Sequence, residues 1–140
     1  FNQLNINSVE LHEAAVSDKK GKTVFYQGKN SVMSSIMPEL SYNYDITTSY
    51  EVNVLSFNDI IEQYDIINYL KVDCEGSEYE IFNSIPNNIL STKIKKIALE
   101  FHNNVNDIKV VNLISKIKEC GFEIKIEDST TQGMLYAKKL

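Results

Sequence analysis

Apolar stretches of strand length and of helix length alternate along this chain. Residues 9–16 (VELHEAAV) read as a short strand interrupted by His12 and Glu13. A lysine-rich turn at 19–22 leads to the β-branched and aromatic 23–26 (TVFY), which predicts a hairpin with the first strand. Residues 30–43, rich in Ser, Asn and Met and holding Pro38, read as a surface loop. Residues 49–55 (SYEVNVL) alternate like a further strand. Ser56 then stands before Phe57-Asn58-Asp59, where its hydroxyl can take an unpaired N–H of the first turn and Asp59 suits the helix dipole.

The second half has the same rhythm. Residues 66–72 (IINYLKV) form a nearly continuous apolar run, as in a strand covered on both faces of a parallel sheet. A helix over about 77–84 ends before Pro86, which cannot continue it. Residues 94–101 (IKKIALEF) predict a strand. Ile108, Val111, Ile114 and Ile117 recur at helical spacing behind a cap at Asn106 or Asp107, and Gly121 suits the residue past the helix end. Residues 122–126 and 134–137 read as two closing strands joined by a polar turn. The order argues for one α/β domain.

Composition narrows the function. At 140 residues, 43% hydrophobic and 24% charged, the chain has the mix of an ordered globular domain. No apolar run nears the roughly 18–20 residues that cross a bilayer, so membrane partners are not expected. Fourteen basic against nineteen acidic residues give a net charge of −5 with no basic cluster, a poor match for a phosphate backbone, so nucleic acid is not expected either. Cys74 and Cys120 form no CxxC pair or disulfide framework; they read as buried thiols in a reducing, cytoplasmic setting. Phe1 opens the chain without methionine or a secretory segment, which points to a piece of something longer.

Ligands of open α/β sheets bind at the carboxyl ends of strands, and three such ends carry polar residues. The first is Asp73-Cys74-Glu75-Gly76-Ser77-Glu78. Glu78 and Glu80 read as acids complementing a helix dipole, while a carboxylate ending a buried strand is costly unless something binds it. Asp73 and Glu75 are therefore candidate site residues, and Gly76 permits a tight turn. The second is Glu100-Phe101-His102, where alternation puts Glu100 and His102 on one side; His102 is a candidate general base or ligand, or else a surface histidine. The third is Ala14-Ala15-Val16-Ser17-Asp18, whose small residues leave room for a planar ring, or else pack a strand end. His12 reads as structural. The chain has no GxGxxG, P-loop or nucleophile elbow.

In this order, VELHEAAVSDKKGKTVFY, NSVMSSI, VNVLSFNDII, LKVDCEGSEYEIF and IALEFH resemble the FkbM family of methyltransferases, with LKVDCEGSE the most specific element. The resemblance implies a Rossmann-like class I methyltransferase sheet with helices on both faces. The family's first two strands and glycine-rich cofactor loop have no counterpart here, and its first strand would lie between segments 9–16 and 66–72. It implies S-adenosylmethionine as cofactor and O-methylation of a hydroxyl on a sugar or secondary metabolite, a small-molecule or glycan acceptor. Ala14, Ala15 and Val16 would then border the adenine, Asp73, Glu75 and Gly76 would shape the pocket, and Asp73, Glu100 and His102 would face the acceptor, with His102 or Asp73 taking its proton. A lone fragment is expected to bind the cofactor weakly, to be inactive, and to expose sheet edges open to self-association. No resident metal is expected, although the acidic cluster suits Mg²⁺. The competing readings are a non-catalytic binding or scaffolding module and a metal-dependent hydrolase on Asp73, Glu75 and His102.

Overall fold

The computed structural model describes residues 9–29, 34–37, 45–102, 107–128 and 132–140. They form seven strands and four helices in two sheets. β1 (Ala15–Ser17), β2 (Gly21–Gly28) and β3 (Ile46–Ser56) make the first sheet, in the order β1-β3-β2. β4 (Leu70–Val72), β5 (Lys96–His102), β6 (Phe122–Asp128) and β7 (Gln132–Lys139) make the second, in the order β4-β5-β7-β6. Helices α1 (Phe57–Glu62), α2 (Glu78–Ser84), α3 (Asn87–Lys93) and α4 (Asp107–Glu119) complete the set.

The expected hairpin between the first two strands does not form. β3 lies between them, antiparallel to β2 and parallel to β1. With eleven residues it offers a ladder edge to each. The first strand is also shorter than predicted, because the exposed polar stretch through His12 and Glu13 stays outside it. Most of the segment read as a surface loop, 30–33 and 38–43, lies outside the described residues. Its described part is no surface loop: Ser35 bridges Tyr26 and is 2% exposed.

The second sheet carries the core. Register puts Val72, Leu99 and Leu135 side by side, with Ile97 against Ala137 one step away. All are buried, and they share a cluster with Phe57 and Ile61 of α1, Tyr79, Ile81 and Phe82 of α2, Leu90 of α3, and Leu113 and Ile117 of α4. Each such large side chain contributes roughly 1.5–3 kcal/mol on burial. Gly133 sits against the Phe101 ring so closely that a Cβ would stand 2.4 Å from its tip.

Helices on both faces were expected; the described helices instead bury their side chains in the cluster on one face. β7 alternates buried Gly133, Leu135 and Ala137 with exposed Gln132, Tyr136 and Lys138, the signature of a strand with one wet face. The run 66–72 was likewise read as doubly covered, yet Ile66 and Tyr69 are more than half exposed and only its last three residues form β4. Helix α3 was not predicted; Pro86 ends α2 and caps α3 as well.

Local signals held elsewhere. Ser56 caps α1, accepting from the Asp59 N–H at 3.5 Å. Gly121, at φ +83°, follows α4. β1 and β4 stand at the ends of the two strand orders and belong to different sheets, and α2 packs against both β1 and β5.

Candidate functional site

The site is built by the turn between β4 and α2. Val72 is buried, and beyond it Glu75 at φ +47° and Gly76 at φ +106° reverse the chain in two consecutive left-handed steps. Gly76 takes this conformation freely, whereas Glu75 pays for a conformation that non-glycine residues seldom adopt. The surroundings hold it there. Ser35 Oγ donates to the Glu75 carbonyl at 2.7 Å and accepts the Met37 N–H at 3.0 Å. From the other side, Glu78 Oε1 accepts the N–H of Cys74 at 3.0 Å, and the Gly76 N–H donates to Glu78 Oε2 at 2.9 Å. Strain of this kind persists only where the neighbours over-determine it, and it concentrates at working sites.

Glu78 is fully buried, and so is its neighbour across the sheet end, His102 at 5% exposed. His102 Nδ1 lies 3.5 Å from Glu78 Oε1, and its Nε2 lies 3.3 Å from Glu75 Oε2. The Tyr79 hydroxyl donates to the His102 backbone carbonyl at 2.9 Å, tying α2 to the end of β5. Glu78 beside the ring raises the imidazole above its usual 6.5 despite burial, and the charges of Glu75 and Glu100 add to the effect. Burial, with the charge of Glu78, pushes the Cys74 thiol up to about 11, so it stays protonated at neutral pH and is no nucleophile.

A cavity of about 240 Å³ opens beside this turn. Ala14, Ala15 and Val16 form one wall, Asp73 and Glu75 the opposite one, and Phe25 and Ser35 reach in from the β2 side. It therefore lies between the start of β1 and the turn that follows β4, and draws its lining from both sheets. At its mouth Asp73 pairs with Lys71 at 2.7 Å. A larger cavity, about 380 Å³, lies on the wet face of the second sheet near Tyr69 and Tyr136. None of the predicted site residues lines it, and it holds no buried titratable group, so the smaller cavity is the candidate site.

Compared with known domains, the chain matches the family model of the methyltransferase FkbM domain over residues 1–124. The chain belongs to that family. Searches of curated proteins and of solved structures found no match.

Within this FkbM domain, five of the residues singled out from sequence, Ala14, Ala15, Val16, Asp73 and Glu75, line one cavity. Gly76 does not; it is buried behind the turn with its amide on Glu78. Asp73, Glu100 and His102 do not share a single cleft as expected. Register continued past Val72 and Leu99 sets Asp73 beside Glu100, and the charges of both act on Lys71 on the wet face. His102 lies behind Glu75 and reaches the cavity only through it. Among the described residues no group of three or more His, Cys, Asp or Glu could hold a metal ion, so Asp73, Glu75 and His102 do not form the trio that the hydrolase alternative needs. No described helix is long and apolar enough to cross a membrane.

Glu78 was missed as a functional residue. Its signal was present: 78, 81, 82 and 85 recur at helical spacing, so Glu78 shares the buried face of Ile81, Phe82 and Ile85. An acid on that face is not a solvated dipole partner.

Proposed function

We propose that this domain serves transfer of a methyl group from S-adenosylmethionine to a hydroxyl of a sugar or secondary metabolite, with the cavity between β1 and β4 as its cofactor-side pocket. The observation that carries this is the meeting of Ala14–Val16 and Asp73–Glu75 around one hollow in a chain of the FkbM family. The residues suit such a molecule. Small side chains on the β1 wall let a flat ring approach the backbone, and the carboxylates opposite accept from hydroxyl and amino groups.

The cofactor supplies an electrophilic methyl on a sulfonium. The protein's share is orientation and proton removal. Asp73 at the mouth and Glu75 inside it are the carboxylates placed to take an acceptor proton, and His102 acts from behind Glu75. About 240 Å³ is less than the roughly 300–1,000 Å³ of pockets that enclose whole ligands of this size, so these residues hold part of the cofactor and bind it weakly.

Backbone amide spectra recorded while S-adenosylmethionine is added test the proposal. Weak, saturable shifts are expected at Ala14–Val16 and Asp73–Glu75, and Ala15→Trp should abolish them by filling the hollow. Shifts that gather elsewhere, or that survive Ala15→Trp, overturn the assignment.

A further inference from the structure

Glu78, the one buried carboxylate among the described residues, touches both the turn after β4 and the end of β5. Glu78 accepts the N–H groups of Cys74 and Gly76, which bracket Glu75, and its Oε1 faces His102 Nδ1. The opposite ring nitrogen faces the Glu75 carboxylate. A single side chain on α2 thus spans the turn after β4 and the end of β5, two elements joined through no ladder bond at that level. Burying an unpaired carboxylate is costly, and the two amide hydrogen bonds offset that cost while the imidazole faces it as an ion-pair partner outside hydrogen-bond geometry.

We propose that Glu78 is the positioning residue of the site: it holds Glu75 in its left-handed conformation toward the cavity and orients His102 so that Nε2 backs that same carboxylate. His102 and Glu75 then act as a coupled pair, with Glu75 at the cavity and His102 able to share its proton from behind. The inference rests on the proposed function for what the pair is used for, but its geometry and its test do not.

Among the described residues, the charged and titratable groups facing the imidazole are Glu78 on α2, Glu75 on the turn and Glu100 on its own strand. The Tyr79 hydroxyl is engaged with the His102 carbonyl and leaves the ring free to respond to these three.

The test is a nuclear magnetic resonance titration of the His102 imidazole in the 140-residue chain, with no methyl donor or acceptor present. In the unmodified chain His102 is expected to titrate above the usual 6.5 and, once neutral, to carry its proton on Nδ1, toward Glu78. In Glu78→Gln, which keeps an acceptor oxygen but not the charge, the affinity of His102 for its proton should fall by about tenfold or more. The Gly76 amide resonance should move with it.

Three results overturn the proposal: His102 titrating at or below the usual 6.5, a neutral form protonated on Nε2, or a folded Glu78→Gln chain with an unmoved His102 midpoint. The first two need no variant, so a Glu78→Gln chain that fails to fold does not shield the idea. A carboxylate that anchored the turn without facing the ring would leave the histidine midpoint alone. Loss of cofactor binding with these titrations intact would count against the proposed function instead.

Discussion

The two sheets of this domain use their strands in opposite ways. β5 buries five of its seven residues, and Leu99 and Phe101 lie at the centre of the core. β3, the longest strand, opens with six exposed residues and buries only Val54 and Ser56 near its end. One sheet is a wall of the core; the other is a ribbon rooted by one end. The ribbon is rooted where β1, β3 and the Ser35 bridge meet the turn after β4, and the cavity lies there. A binding site thus forms where a rigid wall meets the base of a less supported element. Burial density, more than strand length, decides which parts hold their positions.

The sharpest way to break this contrast is to cut the core. Leu99→Ala should cost about 2–5 kcal/mol, because the void is enclosed on all sides. Val24→Ala, on the exposed ribbon, should stay within about 0.5 kcal/mol. Urea midpoints of the two variants check the difference, and equal losses would refute the division between wall and ribbon.

Next in size is Gly133→Ala. The added Cβ meets the Phe101 ring, which has no room to retreat, and the loss should be about 1–3 kcal/mol. No compensating gain in backbone stiffness should reverse its sign. A melting curve decides it.

A smaller effect sharpens the comparison at the site itself. The folded state raises the pKa of His102 above its unfolded value of 6.5. Its contribution to stability is therefore complete below about pH 6.5 and is lost as pH rises through the folded midpoint. Urea midpoints measured upward from pH 6 should show this decline, and His102→Asn should flatten it. The exposed ribbon, with no such buried group among its described residues, should contribute nothing to the slope.

The smallest effect belongs to the ribbon. Lys22 and Glu51 pair across β2 and β3 at 2.6 Å with both side chains 62% exposed. Lys22→Ala should cost at most about 1 kcal/mol, and added salt should remove most of that difference.

Much of this was written in local chemistry. Ser56 as a cap, Gly121 past a helix end and Gly76 in a reversing turn depend on residues a few positions apart. The stripe expected on α4 is only partly right: Ile117 is buried and Ile114 packs against the core, but Val111 is exposed and Leu113 takes its place. A strand ending in Asp73-Cys74-Glu75-Gly76 already pointed to a strand-end site, and Ala14–Val16 to a small-residue wall. What the sequence left open was every question of partnership. Two short strands with a lysine-rich turn between them look like a hairpin until a third strand, thirty residues later, proves able to pair with both. An apolar run looks doubly covered until the helices all settle on the other face.

Sequence alone therefore determined most of the elements, the family resemblance and five of the residues around the hollow, since spacing and backbone preference act over one or two turns of chain. Tertiary structure alone decided that Glu78 is buried between Cys74, Gly76 and His102, and that His102 stands behind Glu75 rather than beside Asp73. Those placements depend on how α2 lies against the ends of β1 and β5. That docking sums weak contacts between segments far apart in the chain, and no short stretch of residues encodes it.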